Sequence, residues 1–317
     1  MQHILITGGN GFIASHLVDA LVTLGHKITI FDLYPRPYDN LPQGVSFVQG
    51  NLQDGHLIRR AIEDYRIELI YHAAWVNIHE TALKDPAGDV QANLVASINL
   101  LNSCRDTAVK RVVYLSSGGT VYGLPQQLPI QEDHPTNPIN AYGITKLMVE
   151  KYLYMFYYLY GLEYIILRPS VPYGPRQNPF HHQGVVSVFT YNTLIGKPST
   201  IFGDGKVVRD YFYIEDLTNA LLKAKDIAFK PSHTTFNLGG MQPYTLNELV
   251  KNIESVLGMK MLIKYELARK FDVPHLQLDS SLAKSRLNWK PTVSLEKGIR
   301  RTAEWLQKRI IDSKEAV

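Results

Sequence analysis

The chain has 317 residues, 45% hydrophobic and 20% charged, with a formal net charge of +4. These proportions exclude a disordered chain, and no Lys/Arg run is long enough to act as a nucleic-acid arm. A single cysteine, Cys104, excludes an intramolecular disulfide, and no apolar run approaches the length of a membrane span, so a reducing, cytoplasmic compartment is expected.

Met1-Gln2-His3-Ile4-Leu5-Ile6 enters a strand at once, and no signal peptide is expected. Short apolar runs rich in Val, Ile and aromatic residues predict strands at 4–7, 27–32, 45–49, 68–73, 111–116 and 164–168. Strands buried on both faces have this composition. Helical patterns fall between them at 12–24, 56–65, 90–107 and 142–160. Repeated strand–helix units imply a doubly wound parallel α/β sheet with right-handed crossovers. Cys104 follows Leu100 and Leu101 in a helical pattern and reads as a buried structural thiol.

Beyond Pro169 the pattern changes. Pro172, Pro175, Pro179 and the His181-His182 pair mark an irregular stretch. No further ligand sits at a metal-binding distance from the pair in sequence, so no metal is expected. Helices at 245–257 and 295–307, with short strands, make up a smaller α/β lobe. The expected division is 1–170 and 171–317, and the chain is free to cross between the two.

The first strand runs into Thr7-Gly8-Gly9-Asn10-Gly11-Phe12-Ile13-Ala14. Gly8 permits the tight turn, Gly11 lets backbone approach a pyrophosphate at the helix N-terminus, and Ala14 is small enough for close helix–strand packing. The second strand ends at Asp32, about twenty residues on, where a carboxylate accepts from an adenosine ribose. That carboxylate disfavours a 2′-phosphate, so NAD is expected rather than NADP. Arg36 could accept such a phosphate, but a solvated loop is the preferred reading.

Tyr142-Gly143-Ile144-Thr145-Lys146 places Tyr and Lys four apart, on one helix face. It follows Ser116-Ser117-Gly118-Gly119-Thr120-Val121-Tyr122-Gly123. With the N-terminal glycines, this combination resembles the extended short-chain dehydrogenase/reductase family, and within it the UDP-hexose 4-epimerases. The resemblance covers nearly the whole chain. It implies a Rossmann domain whose NAD contacts come from Gly8, Asn10, Gly11, Phe12, Ile13, Asp32, Asn51, Leu52, Ala73, Ala74, Asn93, Ser116, Tyr142, Lys146 and Pro169.

The same resemblance implies a nucleotide-sugar site. Phe202 in Phe202-Gly203-Asp204-Gly205 would lie beside the base. Arg209, and Arg269 of Arg269-Lys270-Phe271-Asp272, would clamp the diphosphate, for which guanidinium forks are suited. Tyr142 would act as base at the sugar C4 hydroxyl, helped by the positive charge of Lys146. Leu276, four residues past Asp272, stands where bulk near the sugar 2-position is gated, which leans toward a plain hexose. Helices 90–107 and 142–160 would form a homodimer interface, the second through Met148, Tyr152, Met155, Phe156 and Tyr160.

Related 4,6-dehydratases carry acids where this chain has Gly118, Gly119 and Thr120, which argues against dehydration. A ketoreductase uses the same Tyr and Lys, and so stays open. A nucleotide-sensing module would have lost one of them. The family's Ser or Thr three residues before Val-Tyr-Gly is here Gly118, and its sugar-site Asn two before Tyr-Gly is Val171. If the chain stays extended past Ser116, Thr120 faces the side of position 118 and supplies the missing hydroxyl, with Ser117 as second choice.

Overall fold

Seven parallel strands form the central sheet of a computed structural model that describes residues 1–36, 40–76, 79–180, 184–269 and 272–315. Along the chain the strands are β1 (His3–Thr7), β2 (Lys27–Asp32), β3 (Ser46–Gln49), β4 (Leu69–His72), β5 (Arg111–Leu115), β6 (Glu163–Pro169), β7 (Val171–Tyr173), β8 (Ser199–Phe202), β9 (Val208–Arg209), β10 (Tyr211–Tyr213), β11 (Thr235–Leu238), β12 (Tyr244–Thr245) and β13 (Ile263–Glu266). The α-helices are α1 (Phe12–Thr23), α2 (Gly55–Asp64), α3 (His79–Lys84), α4 (Pro86–Asp89), α5 (Ala96–Cys104), α6 (Ala141–Tyr160), α7 (Val185–Leu194), α8 (Ile214–Asp226), α9 (Leu246–Leu257), α10 (Ser281–Arg286) and α11 (Leu295–Glu315).

The sheet order is β11-β6-β5-β4-β1-β2-β3. The chain winds outward from β1 through β2 to β3, then returns to the other side of β1 at β4. The direction reverses between β1 and β4, which opens a crevice at their carboxyl ends. Alternate residues feed two cores. Ile4, Ile6, Val113, Leu115 and Leu167 pack with Leu17 of α1 and Leu217 of α8. Leu5, Ile70, Val112, Tyr114 and Ile166 pack with Ile58 of α2, Leu100 of α5 and Val149 and Leu153 of α6.

Helix α6 carries the Tyr–Lys pair, and its ends are well defined. The Asn140 side chain caps it by accepting from Gly143 N–H, and Gly161 closes it at φ 72°. Val149, Leu153 and Phe156 recur on one buried stripe. Asn140→Ala would remove the cap, at a cost of about 1 kcal/mol.

Two sequence readings change. The expected helix over 90–107 is two segments: a π-helical turn, Val90–Val95, and then α5. The wider turn contains Asn93, whose carbonyl accepts from the Ser97 hydroxyl at 2.6 Å. The edge strand β11 was not anticipated; its four residues take their form from pairing with β6. The boundary after residue 170 is crossed by the chain, since α8 packs on α1, β5 and β6 and β11 completes the main sheet. The His181-His182 pair lies outside the described residues, and no metal-holding cluster occurs among those described. No described helix is long and apolar enough to cross a membrane.

Candidate active site

The glycine turn sits in the crevice. Gly8 has φ +68°, and a Cβ there would come within 2.7 Å of Ala74 Cα, so both conformation and space demand glycine. Gly11 caps α1 without a side-chain bond, and the first turn of α1 holds no acidic residue. The free N–H groups of Phe12 and Ile13 are therefore open to an anion. Asn10 is buried; its N–H donates to Asp32 Oδ2 at 3.0 Å and its amide donates to Tyr34 O at 2.7 Å. Asp32 thus braces the glycine turn, and its burial raises the carboxyl above its ordinary range. Asn51 lies just past β3, beside Gly50, whose N–H donates to Asp32 O. Asn51 Oδ1 accepts from Gln53 N–H, and half-buried Leu52 follows it.

After β4, Ala73 and Ala74 donate to the Thr7 carbonyl and hydroxyl. His72 behind them bridges Thr7 and Ser97, both at 2.8 Å, and burial takes its pKa down to about 3. It is a neutral core histidine. Asn93 accepts from Val76 N–H at 3.0 Å and donates to Asp89 at 2.9 Å, so it orders this connection from below. Arg36 is not solvated. Its guanidinium is 2% exposed and is held by Asp19 at 2.9 Å and by Ser15 O. A single distant carboxylate on α1 has taken it into the fold.

Tyr142 stands one turn before Lys146 on α6. The Lys146 ammonium donates to Leu115 O at 2.8 Å, lies 3.7 Å from the centre of the Trp75 ring and 5.7 Å from that of Tyr142. Burial pulls Lys146 down to about 7, against the opposing charges of Glu150 and Asp89. Burial lifts the Tyr142 phenol well above its ordinary value, Asp89 adds to this, and a hydrogen bond with the Ser117 hydroxyl works the other way.

The extended-chain expectation for 116–120 is corrected. Gly118 to Tyr122 form turns, with Thr120 and Val121 N–H both directed at Ser117 O. The two-residue alternation that favoured Thr120 does not survive that turn. Ser117 meets the phenol, and the buried Thr120 hydroxyl has no partner among the described residues. The hydroxyl of Ser116 is engaged by Glu150 at 2.5 Å, and Glu150 pairs with Arg168. Pro169 at the end of β6 accepts from Gly118 N–H at 2.9 Å, which closes the edge of the site.

A second cluster lies at the other end. Arg269 rests 4.4 Å from the Phe202 ring centre and is paired with Asp272 at 2.9 Å. Arg209 donates to Val208 O, and burial with the nearby Arg269 charge lowers its pKa. Arg209, Arg269 and Phe202 therefore form one group suited to a planar base and a diphosphate. Lys270 and Phe271 lie outside the described residues. Leu276, 1% exposed, packs with Val121 and Tyr122. Sequence reasoning missed Trp75, Asp89 and Glu150. The four-residue spacings Asp89–Asn93 and Lys146–Glu150 were the available signals for the last two.

The cradle fits a dinucleotide. A turn that only glycine can make, a helix N-terminus without acids and a braced Asp32 converge on it, and the buried Nε1 of nearby Trp75 has no partner among the described residues. The family model described as NAD dependent epimerase/dehydratase family matches residues 4–239. UDP-glucose 4-epimerase of Mycolicibacterium smegmatis is 33% identical over 311 residues, 96% of this chain and 98% of that one. The UDP-glucose 4-epimerase of Thermotoga maritima, solved with UDP-glucose, superposes with a TM-score of 0.93 at 36% identity, covering 97% of this chain and 99% of that one. The Thermus thermophilus UDP-glucose 4-epimerase complex with NAD gives a TM-score of 0.89 at 31% identity, over 96% and 99%.

Proposed function

Because the chain belongs to the NAD dependent epimerase/dehydratase family, we propose that it is an NAD-dependent 4-epimerase of a UDP-hexose, with UDP-glucose and UDP-galactose as the pair interconverted. One observation carries this reading: Ser117, Tyr142 and Lys146 converge at the carboxyl edge beside the glycine turn, and no acid stands at 118–120 to eliminate water. Bound NAD supplies a reversible hydride acceptor.

The protein's own residues manage the proton. Tyr142, as phenolate, removes the C4 hydroxyl proton while the C4 hydride leaves, giving the 4-keto sugar. Lys146 and Ser117 stabilise the phenolate. Arg209 and Arg269 hold the diphosphate, so the keto-hexose turns over without leaving. Tyr142 would return the proton as the keto group is reduced on its other face by the hydride that NAD would supply when bound.

Incubation with UDP-glucose, resolved by NMR, is expected to yield UDP-galactose with no added reductant. A dehydrated sugar, or conversion of a 4-keto sugar only with stoichiometric added nicotinamide, would replace the reading with dehydratase or ketoreductase.

Phe202, Arg209 and Arg269 are proposed to bind the UDP moiety, and the residues of the glycine turn, Asp32, Asn51, Leu52, Ala73, Ala74, Asn93 and Pro169 to line the NAD site. NAD is expected to bind more tightly than NADP, since the Asp32 carboxylate at the end of β2 would accept from a ribose hydroxyl and disfavour a 2′-phosphate, and Arg36 is tied to Asp19. Asp32→Ala should weaken NAD and narrow the preference, measured by calorimetric titration of both dinucleotides. Tighter NADP binding by the wild type would refute this.

We also assign a homodimer and a cytoplasmic setting. Tyr154, Met155, Tyr158, Leu159 and Tyr160 leave an apolar outer face on α6, with Tyr158 76% exposed. Phe156, expected on that face, belongs to the core instead. Light scattering at micromolar concentration should return twice the chain mass; monomer alone would refute the assignment. The buried Cys104 thiol, raised to about 12, suits a reduced protein.

A further inference from the structure

Trp75 belongs to none of the motifs, yet it lies where the three parts of the site meet. Ala74, the residue before it, is packed against the Gly8 turn. The indole face covers the Lys146 ammonium at 3.7 Å, and its ring meets Tyr142 edge-on, with centroids 5.6 Å apart and planes at 69°. Its Nε1 is buried and has no partner among the described residues.

An aromatic face attracts a cation most strongly where water is excluded, and a buried indole N–H ordinarily finds an acceptor. The face meets the catalytic pair, and the N–H lacks an acceptor among the described residues, one residue past the Ala74 that packs on the Gly8 turn. We propose that Trp75 is a positioning residue: its face keeps Lys146 cationic and aimed at Tyr142, and its N–H is held ready for an acceptor on the bound dinucleotide.

The other groups facing Lys146 come from every packed element. They are Asp89 of α4, Glu150 of α6 backed by Arg168 of β6, Tyr142 of α6, Tyr114 of β5 and neutral His72 of β4. The two carboxylates favour the charge by Coulomb attraction, and Trp75 adds an uncharged face that would not repel a dinucleotide phosphate.

The inference rests on the proposed roles of Tyr142 and Lys146, so its test reads Lys146 directly, without substrate. Lys146 is titrated by NMR in cofactor-free protein labelled with 13C-lysine, its signal assigned by its loss in Lys146→Met. Wild type and Trp75→Phe should titrate alike, because phenylalanine keeps the face. Trp75→Leu should titrate lower by about 1 pH unit, the equivalent of one desolvated cation–π contact. A midpoint unmoved or raised in Trp75→Leu would show that the indole merely excludes water, and would overturn the proposal.

The N–H is read separately by calorimetry. Trp75→Phe should bind NAD about three- to tenfold more weakly, the loss of one hydrogen bond. Unchanged NAD affinity would overturn that half. Neither readout depends on which sugar the enzyme accepts, so failure of the epimerase reading would appear only in the product assay.

Discussion

Lys146→Met is expected to cut kcat/KM at neutral pH about 100-fold and to carry the acid limb from about 7 to above the ordinary tyrosine value of about 10. Lys146 titrates at about 7 in the cofactor-free protein, and the phenol titrates far above that. Below pH 7 the pair is phenol plus ammonium. One proton leaves as pH rises through 7, and the remaining proton is shared. Placed on the lysine, it leaves the phenolate that acts as base. Activity therefore climbs through about 7 and then levels, and the positive charge of oxidised nicotinamide lowers the limb further.

Without the lysine the phenol must ionise alone. At a charge separation of about 6 Å and an effective dielectric of about 20, the lost attraction is about 3 kcal/mol, about 100-fold in the phenolate fraction at neutral pH. Steady-state rates across about pH 5 to 10 measure it, with NAD affinity determined alongside. A lowered plateau with an unmoved limb would mean that Lys146 only binds cofactor.

The legible parts of this protein were those in which backbone geometry or local spacing restricts residue type. Gly8 is required by its φ and by Ala74 across the crevice, so the turn was readable in one dimension. Tyr142 and Lys146 share a helix face at any tertiary placement. Arg36 was misread because its partner, Asp19, lies on another element and is brought near only by α1 packing beside β2. The strand β11 is short and polar at Asn237, whose amide donates to Ile130 O at 2.9 Å. It exists because β6 offers a free edge. Trp75 was invisible for a related reason: it takes its meaning from where β4 ends relative to β5 and α6, which no local pattern records.

The loop 116–120 shows the same limit in its sharpest form, and it sets the other large effect. Ser117→Ala is expected to lower kcat/KM about 100-fold with NAD binding unchanged, because it removes the hydroxyl bonded to the Tyr142 phenol. Thr120→Val should keep turnover within about threefold of wild type. Its hydroxyl is buried without a partner among the described residues, so replacing it by a methyl removes an unsatisfied group and should leave the melting temperature unchanged or raised. Placing a serine at position 118 should not rescue Ser117→Ala. A Cβ on Gly118 would lie 2.8 Å from Arg168 O and 2.5 Å from Leu278 Cδ1. Leucine can yield, but the backbone carbonyl of β6 cannot, since β6 is paired on both sides. Gly118→Ser should therefore destabilise by about 1–3 kcal/mol, as overpacking does, read as a lowered denaturation midpoint. The glycine and Ser117 then act as a unit: the missing side chain lets the strand end turn close to β6, and that turn delivers the neighbouring hydroxyl to the phenol. A hundredfold loss in Thr120→Val with Ser117→Ala near wild type would reverse the assignment and return Thr120 to the reacting centre.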